Sequence, residues 1–158
     1  MRRRSLISLA LLTVAPLTQA LPAQAATPAA QLTSYERKVL DLTNGERHRR
    51  GLHSVYPAPC ASYYAQRWSR HLRNAGALSH QSLTPILRDC RGSVAGENVA
   101  YGNVAYGNVS PAGLVAMWMR STGHRANILN PHFNRLGVGV VGTSSGRVYA
   151  TQDFYRAT

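Results

Sequence analysis

The chain has 158 residues, of which 18 are Lys or Arg and six are Asp or Glu, so its formal net charge at pH 7 is +12. This length suits one domain with one hydrophobic core. The basic charge favours anionic neighbours such as cell-wall polymers, but the chain has no motif for nucleic-acid recognition, and we expect no specific nucleic-acid partner.

The first residues have the pattern of a secretory signal peptide. The arginines at positions 2–4 precede an apolar run over residues 6–17, and Ala-Gln-Ala at 23–25 supplies a cleavage site. The run is too short to cross a membrane, so we expect a secreted, extracellular protein without a transmembrane segment. Cleavage would remove three arginines and leave 15 basic against six acidic residues, a charge of +9. The predicted regions are a signal peptide at 1–25, a loose leader at 26–31 and a folded domain at 32–158.

Two helices are predicted in the first half of the domain. Thr33 and Glu36 have the spacing of a capping box, which places the first helix over residues 34–50. The second helix follows Pro59 and ends at Gly76. Its apolar stripe consists of Ala61, Tyr64, Ala65, Trp68 and Leu72. The arginines on its other side, Arg67, Arg70 and Arg73, have the spacing of a solvated helix face.

The chain contains two cysteines, Cys60 and Cys90. In an oxidising extracellular compartment one disulfide between them is the simplest interpretation. The alternative, a catalytic thiol, would leave an odd free cysteine beside it.

Two more helices are expected before the pattern changes. A short one covers residues 83–89, interrupted near Pro85, and another opens at Ser110 with Pro111 in its first position and closes at Gly123.

The last third of the chain alternates between apolar and other residues, as a strand does. Leu136, Val138 and Val140 form the first run, and residues 148–154 form the second. A two-stranded hairpin is not stable alone, so residues 98–101 are expected to add a third strand. Helices followed by a small antiparallel sheet predict an α+β sandwich.

The turn between these two runs contains a serine in a suggestive context. The letters GTSSG at 142–146 match a nucleophile elbow, which requires a helix after the serine and a histidine further along the chain. Here a strand follows, and no histidine lies beyond His132. Ser144 is therefore interpreted as a hairpin residue.

Three other residues follow glycine breaks, where functional groups concentrate: His80, Glu97 and His124. Taken singly, each has a structural explanation, as a loop histidine bonded to a carbonyl or a glutamate capping a turn. Taken together, two imidazoles and a carboxylate would form an open metal site completed by water. Nothing in their spacing brings them together, since they do not lie on one helix.

Several motifs, in order, resemble the CAP superfamily of cysteine-rich secretory, antigen 5 and pathogenesis-related proteins. They are LDLTNGERHRRGL, LSHQS, AGENVAYG, WMRSTGHRANIL and RLGVGVV with VYATQDFY. The likeness is greatest to the family's secreted bacterial branch. It implies an α-β-α sandwich with a three-stranded antiparallel sheet between helical layers. It also implies a cleft with two histidines and acidic partners, which correspond here to His80, His124 and Glu97.

The chain departs from that family pattern at one cleft position. Many members carry a second glutamate on the helix before the second histidine, whereas this helix has no acid, and Ser121 is the nearest substitute. With Glu97 as a ligand, the sequence offers no second acid to serve as a general base.

The functional expectation is therefore a secreted, non-enzymatic binding module, expected to be a monomer. Its cleft residues His80, His124 and Glu97 would hold Zn²⁺ or another divalent cation, or the cleft would take a lipid or small apolar ligand. The first alternative is a metal-dependent, peptidase-like hydrolase that uses Glu97 as base. The second is association with an anionic cell-wall polymer through the basic surface.

Overall fold

The computed structural model describes residues 33–103, 105 and 107–158. The predicted signal peptide and leader lie outside these residues. The helices are α1 Ser34–His48, α2 Pro59–Ala75, α3 Thr84–Asp89, α4 Pro111–Arg120 and α5 Thr122–Ile128. The strands are β1 Tyr56–Pro57, β2 Gly92–Asn103, β3 Arg135–Gly142 and β4 Arg147–Ala157.

The ends of α1 and α2 follow the local signals in the sequence. The Thr33 hydroxyl accepts from the Glu36 N–H at 3.3 Å, and the Thr33 N–H donates to the Glu36 carboxylate at 2.8 Å, which is the predicted capping box. Gly76 caps α2 in the left-handed conformation, with φ of 67°. Glycine adopts this conformation without steric penalty, so it ends the helix where expected.

The sheet has four strands, in the order β1-β3-β4-β2. The three long strands are antiparallel, but Tyr56 and Pro57 pair in parallel with Arg135 and Leu136. The expectation of a three-stranded antiparallel sheet is therefore wrong, and the sheet is mixed. A strand of two residues, one of them proline, is too short to show an alternating pattern in the sequence.

Helices cover both faces of this sheet. On one face, Gly137 and Gly139 of β3 approach the backbone of α2 so closely that a Cβ atom would lie within 2.4 Å of it. On the other face, Leu136 and Val138 pack in the main core with Trp118 of α4. Since successive residues of a strand point to opposite faces, this alternation places the sheet between helical layers, as in an α+β sandwich.

Several elements differ from the sequence-based predictions; α1, for example, ends at His48 and not at Arg50. The helix expected to close at Gly123 ends at Arg120, because Ser121 is extended with ψ of 126°, and Gly123 belongs to the next helix, α5. The third strand extends well beyond 98–101, over Gly92–Asn103. Pro85 does not interrupt α3, since it lies in the first turn, where a proline lacks no needed hydrogen bond.

The predicted disulfide is confirmed. Cys60, near the start of α2, is bonded to Cys90, directly after α3. It joins the helix on one face of the sheet to the segment that leads into β2. No helix in the described residues is long and apolar enough to cross a membrane.

Candidate functional site

The centre of the candidate site is a histidine–glutamate pair. Glu97 lies in β2 with its side chain 2% exposed, and His80 lies in the segment between α2 and α3 with its side chain 62% exposed. The two atoms His80 Nδ1 and Glu97 Oε1 are 2.6 Å apart. Because an ionised carboxylate only accepts hydrogen bonds, Nδ1 carries the proton in this pair. The Nε2 atom of His80 can then bond a ligand, as an acceptor in a neutral ring or as a donor in a charged one.

Gln81 holds the same carboxylate from the other side. Its backbone N–H donates to Glu97 Oε1 at 3.2 Å, and its side-chain Nε2 donates to Glu97 Oε2 at 2.8 Å. The same Nε2 lies 3.1 and 3.0 Å from the two carboxylate oxygens of Asp153. One amide therefore bridges two acids.

Asp153 is the second acid that the sequence analysis did not find. It is directly opposite Glu97 in the antiparallel pairing of β2 and β4, and it is fully buried. No second acid beside Glu97 was identified from the sequence, whereas the structure brings Asp153 next to it. The second carboxylate comes from the sheet and not from the helix before His124. The alternation of residues along β4 predicts a strand, but it does not predict which residue of β2 lies opposite Asp153.

Burial raises the cost of ionising both acids, and the charge of Glu97 raises it further for Asp153. Burial is the largest cause that raises the pKa of the Glu97 carboxyl above its ordinary value, and the hydrogen bonds from His80 and Gln81 oppose it only in part. Burial, followed by the charge of Glu97, raises the pKa of Asp153 well above its ordinary value. Like charges in a dry site disfavour double ionisation, so this corner of the cleft resists a further negative charge.

His124 lies in α5 and reaches the same cavity. Its backbone carbonyl accepts from Asn98 Nδ2 at 3.1 Å. Asn127, also in α5, donates through Nδ2 to the carbonyl of Glu97 and to Asn98 Oδ1, both at 2.9 Å. A Cβ atom on Gly96 would lie 2.8 Å from Asn127 Oδ1, so only glycine leaves room for the Asn127 side chain beside β2. Two asparagines thus tie α5 to the strand that carries the glutamate.

Burial is the main cause that lowers the pKa of His124 below its ordinary value, and the charge of His80 adds to it. An imidazole with a lowered pKa is neutral at physiological pH and offers one donor and one acceptor. Four residues around the site were not identified from the sequence: Asn98, Asn127, Gln81 and Asp153. All four lie inside motifs quoted for the family resemblance, namely LSHQS, AGENVAYG, GHRANIL and VYATQDFY, which is the signal that could have pointed to them.

The predicted residues His80, Glu97 and His124 line one cavity of about 360 Å³, together with Gln81, Leu83, Ser121, Gly123 and Asn127. A second cavity, of about 290 Å³, has mainly apolar walls. These are Leu78, Val99, Ala100, Tyr101, Met117 and Trp118, with Asn108. Ser121 and His124 belong to the walls of both cavities. The cleft therefore has a polar end and an apolar end that meet at these two residues.

The side chains around Glu97 are arranged in hydrogen bonds with one another. In the part of the chain that the structure describes, no group of three or more His, Cys, Asp or Glu side chains is placed to hold one. Both oxygens of Glu97 already accept hydrogen bonds, from His80 and Gln81. Zinc binding by His80, His124 and Glu97 stays a prediction from the sequence, and we assign no chemistry to a metal here.

Comparison with known proteins agrees with this fold and these motifs. The profile of the CAP, or cysteine-rich secretory protein, family matches residues 40–154. The chain is 36% identical over 128 residues to the uncharacterized protein YkwD of Bacillus subtilis, covering 77% of this chain and 47% of that protein. It is 35% identical over 131 residues to the uncharacterized membrane protein YlbC of the same species, covering 78% and 35%. The chain thus spans half or less of the length of these relatives.

Among solved structures, the chain is similar to an extracellular protein containing an SCP domain from Bacillus anthracis. The TM-score is 0.65 at 27% identity, over 80% of this chain and 45% of that one.

Proposed function

The chain belongs to the cysteine-rich secretory protein (CAP) family, and on that premise we propose that it is a secreted, non-enzymatic protein that binds a small amphipathic ligand. The ligand has an apolar chain and a neutral hydroxyl head group. The observation that carries the proposal is the shared wall of the two cavities, where Ser121 and His124 separate apolar from polar surroundings.

The apolar end supports a short hydrocarbon chain. Its volume of about 290 Å³ is near the lower limit of ligand pockets, which run from roughly 300 to 1,000 Å³. Trp118 in its wall is fully buried, and its indole N–H already donates to the Val99 carbonyl at 3.2 Å. The indole therefore offers hydrocarbon contact without an unsatisfied N–H group, which suits an apolar ligand.

The polar end supports a neutral head group. The pKa values of Glu97, in its wall, and of the buried Asp153 beside it are both raised, so a ligand carboxylate would add a further negative charge where two are already disfavoured. A hydroxyl group meets suitable partners instead. Because a hydroxyl both donates and accepts, it can bond the Nε2 atom of His80 in either charge state of that ring, and it can also bond the neutral ring of His124.

This proposal can be tested by displacement of a neutral fluorescent probe, N-phenyl-1-naphthylamine, from the purified protein. We expect 1-decanol to displace the probe at least tenfold more effectively than decanoate at pH 7.5. The difference should narrow toward pH 5, where decanoate takes up a proton. Equal displacement by the alcohol and the carboxylate at pH 7.5 would contradict the proposed head group.

A matched pair of variants tests the position of the chain. Leu78 lines the apolar cavity and is 43% exposed, whereas Val94 is 45% exposed and lines neither cavity of the cleft. Leu78→Asn should weaken binding of 1-decanol at least fivefold, and Val94→Asn should leave it within twofold of wild type. Equal effects of the two substitutions would show that the alcohol binds elsewhere.

A further inference from the structure

The exposed side of α2 carries basic residues and no acid. Arg67, Arg70, His71 and Arg73 are all exposed, and none of the 17 residues of the helix is Asp or Glu. In the described part of the chain, no ion pair involves any of these three arginines. Their charges are thus available to an anionic partner, unlike the charges of Arg49 and Arg50, which are both paired with one glutamate on α1.

A cavity of about 320 Å³ lies against this helix, on the side of the chain segment that links α2 to α3. Its walls are Tyr64, Arg67, Trp68 and His71 from α2, Gln81 and Ser82 from the linking segment, and Pro85 from α3. Gln81 is the one residue that it shares with the polar cavity of the cleft. This cavity is therefore separate from the two cavities of the cleft, apart from the shared Gln81.

The aromatic side chains of this cavity are held before any ligand arrives. The indole N–H of Trp68 donates to the Ser79 carbonyl at 2.8 Å, and its ring stacks on His71 with centroids 4.4 Å apart. The hydroxyl of Tyr64 donates to the carboxylate of Asp89. Side chains whose rotamers are already fixed lose little conformational entropy on binding, so the wall is preorganised for a ligand.

The guanidinium of Arg67 also has a defined position, 5.6 Å from the centre of the Tyr63 ring. Arginine presents a planar fork of N–H donors that matches a carboxylate in two parallel hydrogen bonds. Here the fork belongs to the wall of a cavity whose other members are aromatic rings and small polar groups.

From this combination we propose that the cavity binds one sugar ring of a glycan that carries carboxylate groups, such as a polyuronic acid. The ring contacts Trp68 and Pro85, its hydroxyl groups bond Ser82, and its carboxylate pairs with Arg67. Arg70 and Arg73, further along the same helix, meet the carboxylates of neighbouring sugars. A phosphate polymer without rings would satisfy the arginines but would leave the 320 Å³ cavity and its aromatic wall unfilled.

The test uses calorimetry of the purified protein with hexagalacturonate, with its fully methyl-esterified form and with linear polyphosphate. Three variants are compared with wild type. Arg67→Gln removes the charge proposed to pair with the sugar carboxylate, and Ser82→Trp fills the cavity from an exposed position. Arg147→Gln, the control, removes an exposed charge outside the cavity. Thermal unfolding of each variant establishes that it is folded.

We expect hexagalacturonate to bind wild type at least tenfold more tightly than its methyl ester. Arg67→Gln should weaken its binding at least fivefold and Ser82→Trp at least tenfold, while Arg147→Gln changes it by less than twofold. Polyphosphate binding should be unaffected by Ser82→Trp. Equal weakening of hexagalacturonate binding by Arg67→Gln and Arg147→Gln would mean attraction to the basic surface as a whole, and the proposal would fail. It would also fail if Ser82→Trp left the affinity for hexagalacturonate unchanged. Because Leu78 belongs to the other cavity, loss of decanol binding and loss of glycan binding are separate results.

Discussion

The substitution Gly139→Ala tests how α2 is seated on the sheet. A Cβ atom at this position would lie 2.3 Å from the backbone carbon of Ala65 and 2.3 Å from the backbone nitrogen of Gln66. Ordinary contacts between non-bonded carbon atoms are about 3.5 Å, so α2 would have to move away from β3 by about 1 Å. Backbone atoms cannot rotate aside as the end of a side chain can, and the strain is therefore spread over the whole interface.

Overpacking of a core costs about 1–3 kcal/mol, and we expect Gly139→Ala to lie at or above the upper end of that range because both partners are backbone. For a domain of this size, a loss of about 3 kcal/mol in the free energy of unfolding lowers the melting temperature by roughly 10 °C or more. The measurement is urea denaturation followed by circular dichroism, with calorimetry for the melting temperature.

Gly123→Ala is the matched control. It lies within α5, and a Cβ atom there would meet nothing within 4 Å. Alanine favours a helix over glycine by about 0.5–1 kcal/mol, so this variant should be as stable as wild type or slightly more stable. If Gly139→Ala proved to be within about 1 kcal/mol of wild type, the close approach of α2 to β3 would be refuted.

Three further changes have defined outcomes. The raised pKa of Asp153 means that the folded state holds its proton more tightly than the unfolded state, so wild type loses stability as pH rises above the ordinary carboxyl range. In urea denaturation, Asp153→Asn should be more stable than wild type at pH 8, by a margin that shrinks toward pH 4. A stability difference independent of pH would contradict this. Replacing Cys60 and Cys90 by serine should lower the free energy of unfolding by about 3–4 kcal/mol, as an entropy-based treatment of the closed loop indicates, and an unchanged urea midpoint would exclude it. Asn127→Ala removes the amide that bonds the Glu97 carbonyl, so it should lower the free energy of unfolding by about 1–3 kcal/mol and weaken 1-decanol binding. Unchanged stability and affinity would show that α5 is held in place without this amide.

The helices and the hairpin were predictable because their signals are local. Thr33 and Glu36 lie three residues apart and satisfy one helix end by themselves, and Gly76 ends α2 through its own backbone conformation. The alternating residues of β3 and β4 likewise lie within reach of each other along the chain. Such features depend on a few neighbouring residues, so a pattern in the sequence is enough to identify them.

The strand β1 and the break at Ser121 were not predictable in this way. Tyr56 and Pro57 form a strand only because β3 presents an unpaired edge to them. Ser121 is extended between two short helices, although the sequence around it reads as one helix closed by a glycine. In both places, contact with distant residues decides the conformation, and propensity does not.

The sequence by itself determined most of the helices, the long strands and the disulfide partners, and it identified His80, Glu97 and His124 as candidates, because capping, periodicity, cysteine count and motif order are properties of the chain. Only the tertiary structure decided what surrounds Glu97. Asp153 is 56 positions away in the sequence, and the register of β2 against β4 places it opposite. Sheet register depends on the packing of whole faces, and α2 buries the face that carries Asp153. No local pattern contains that information, so the acid pair and its bridge through Gln81 emerge only when the layers are assembled.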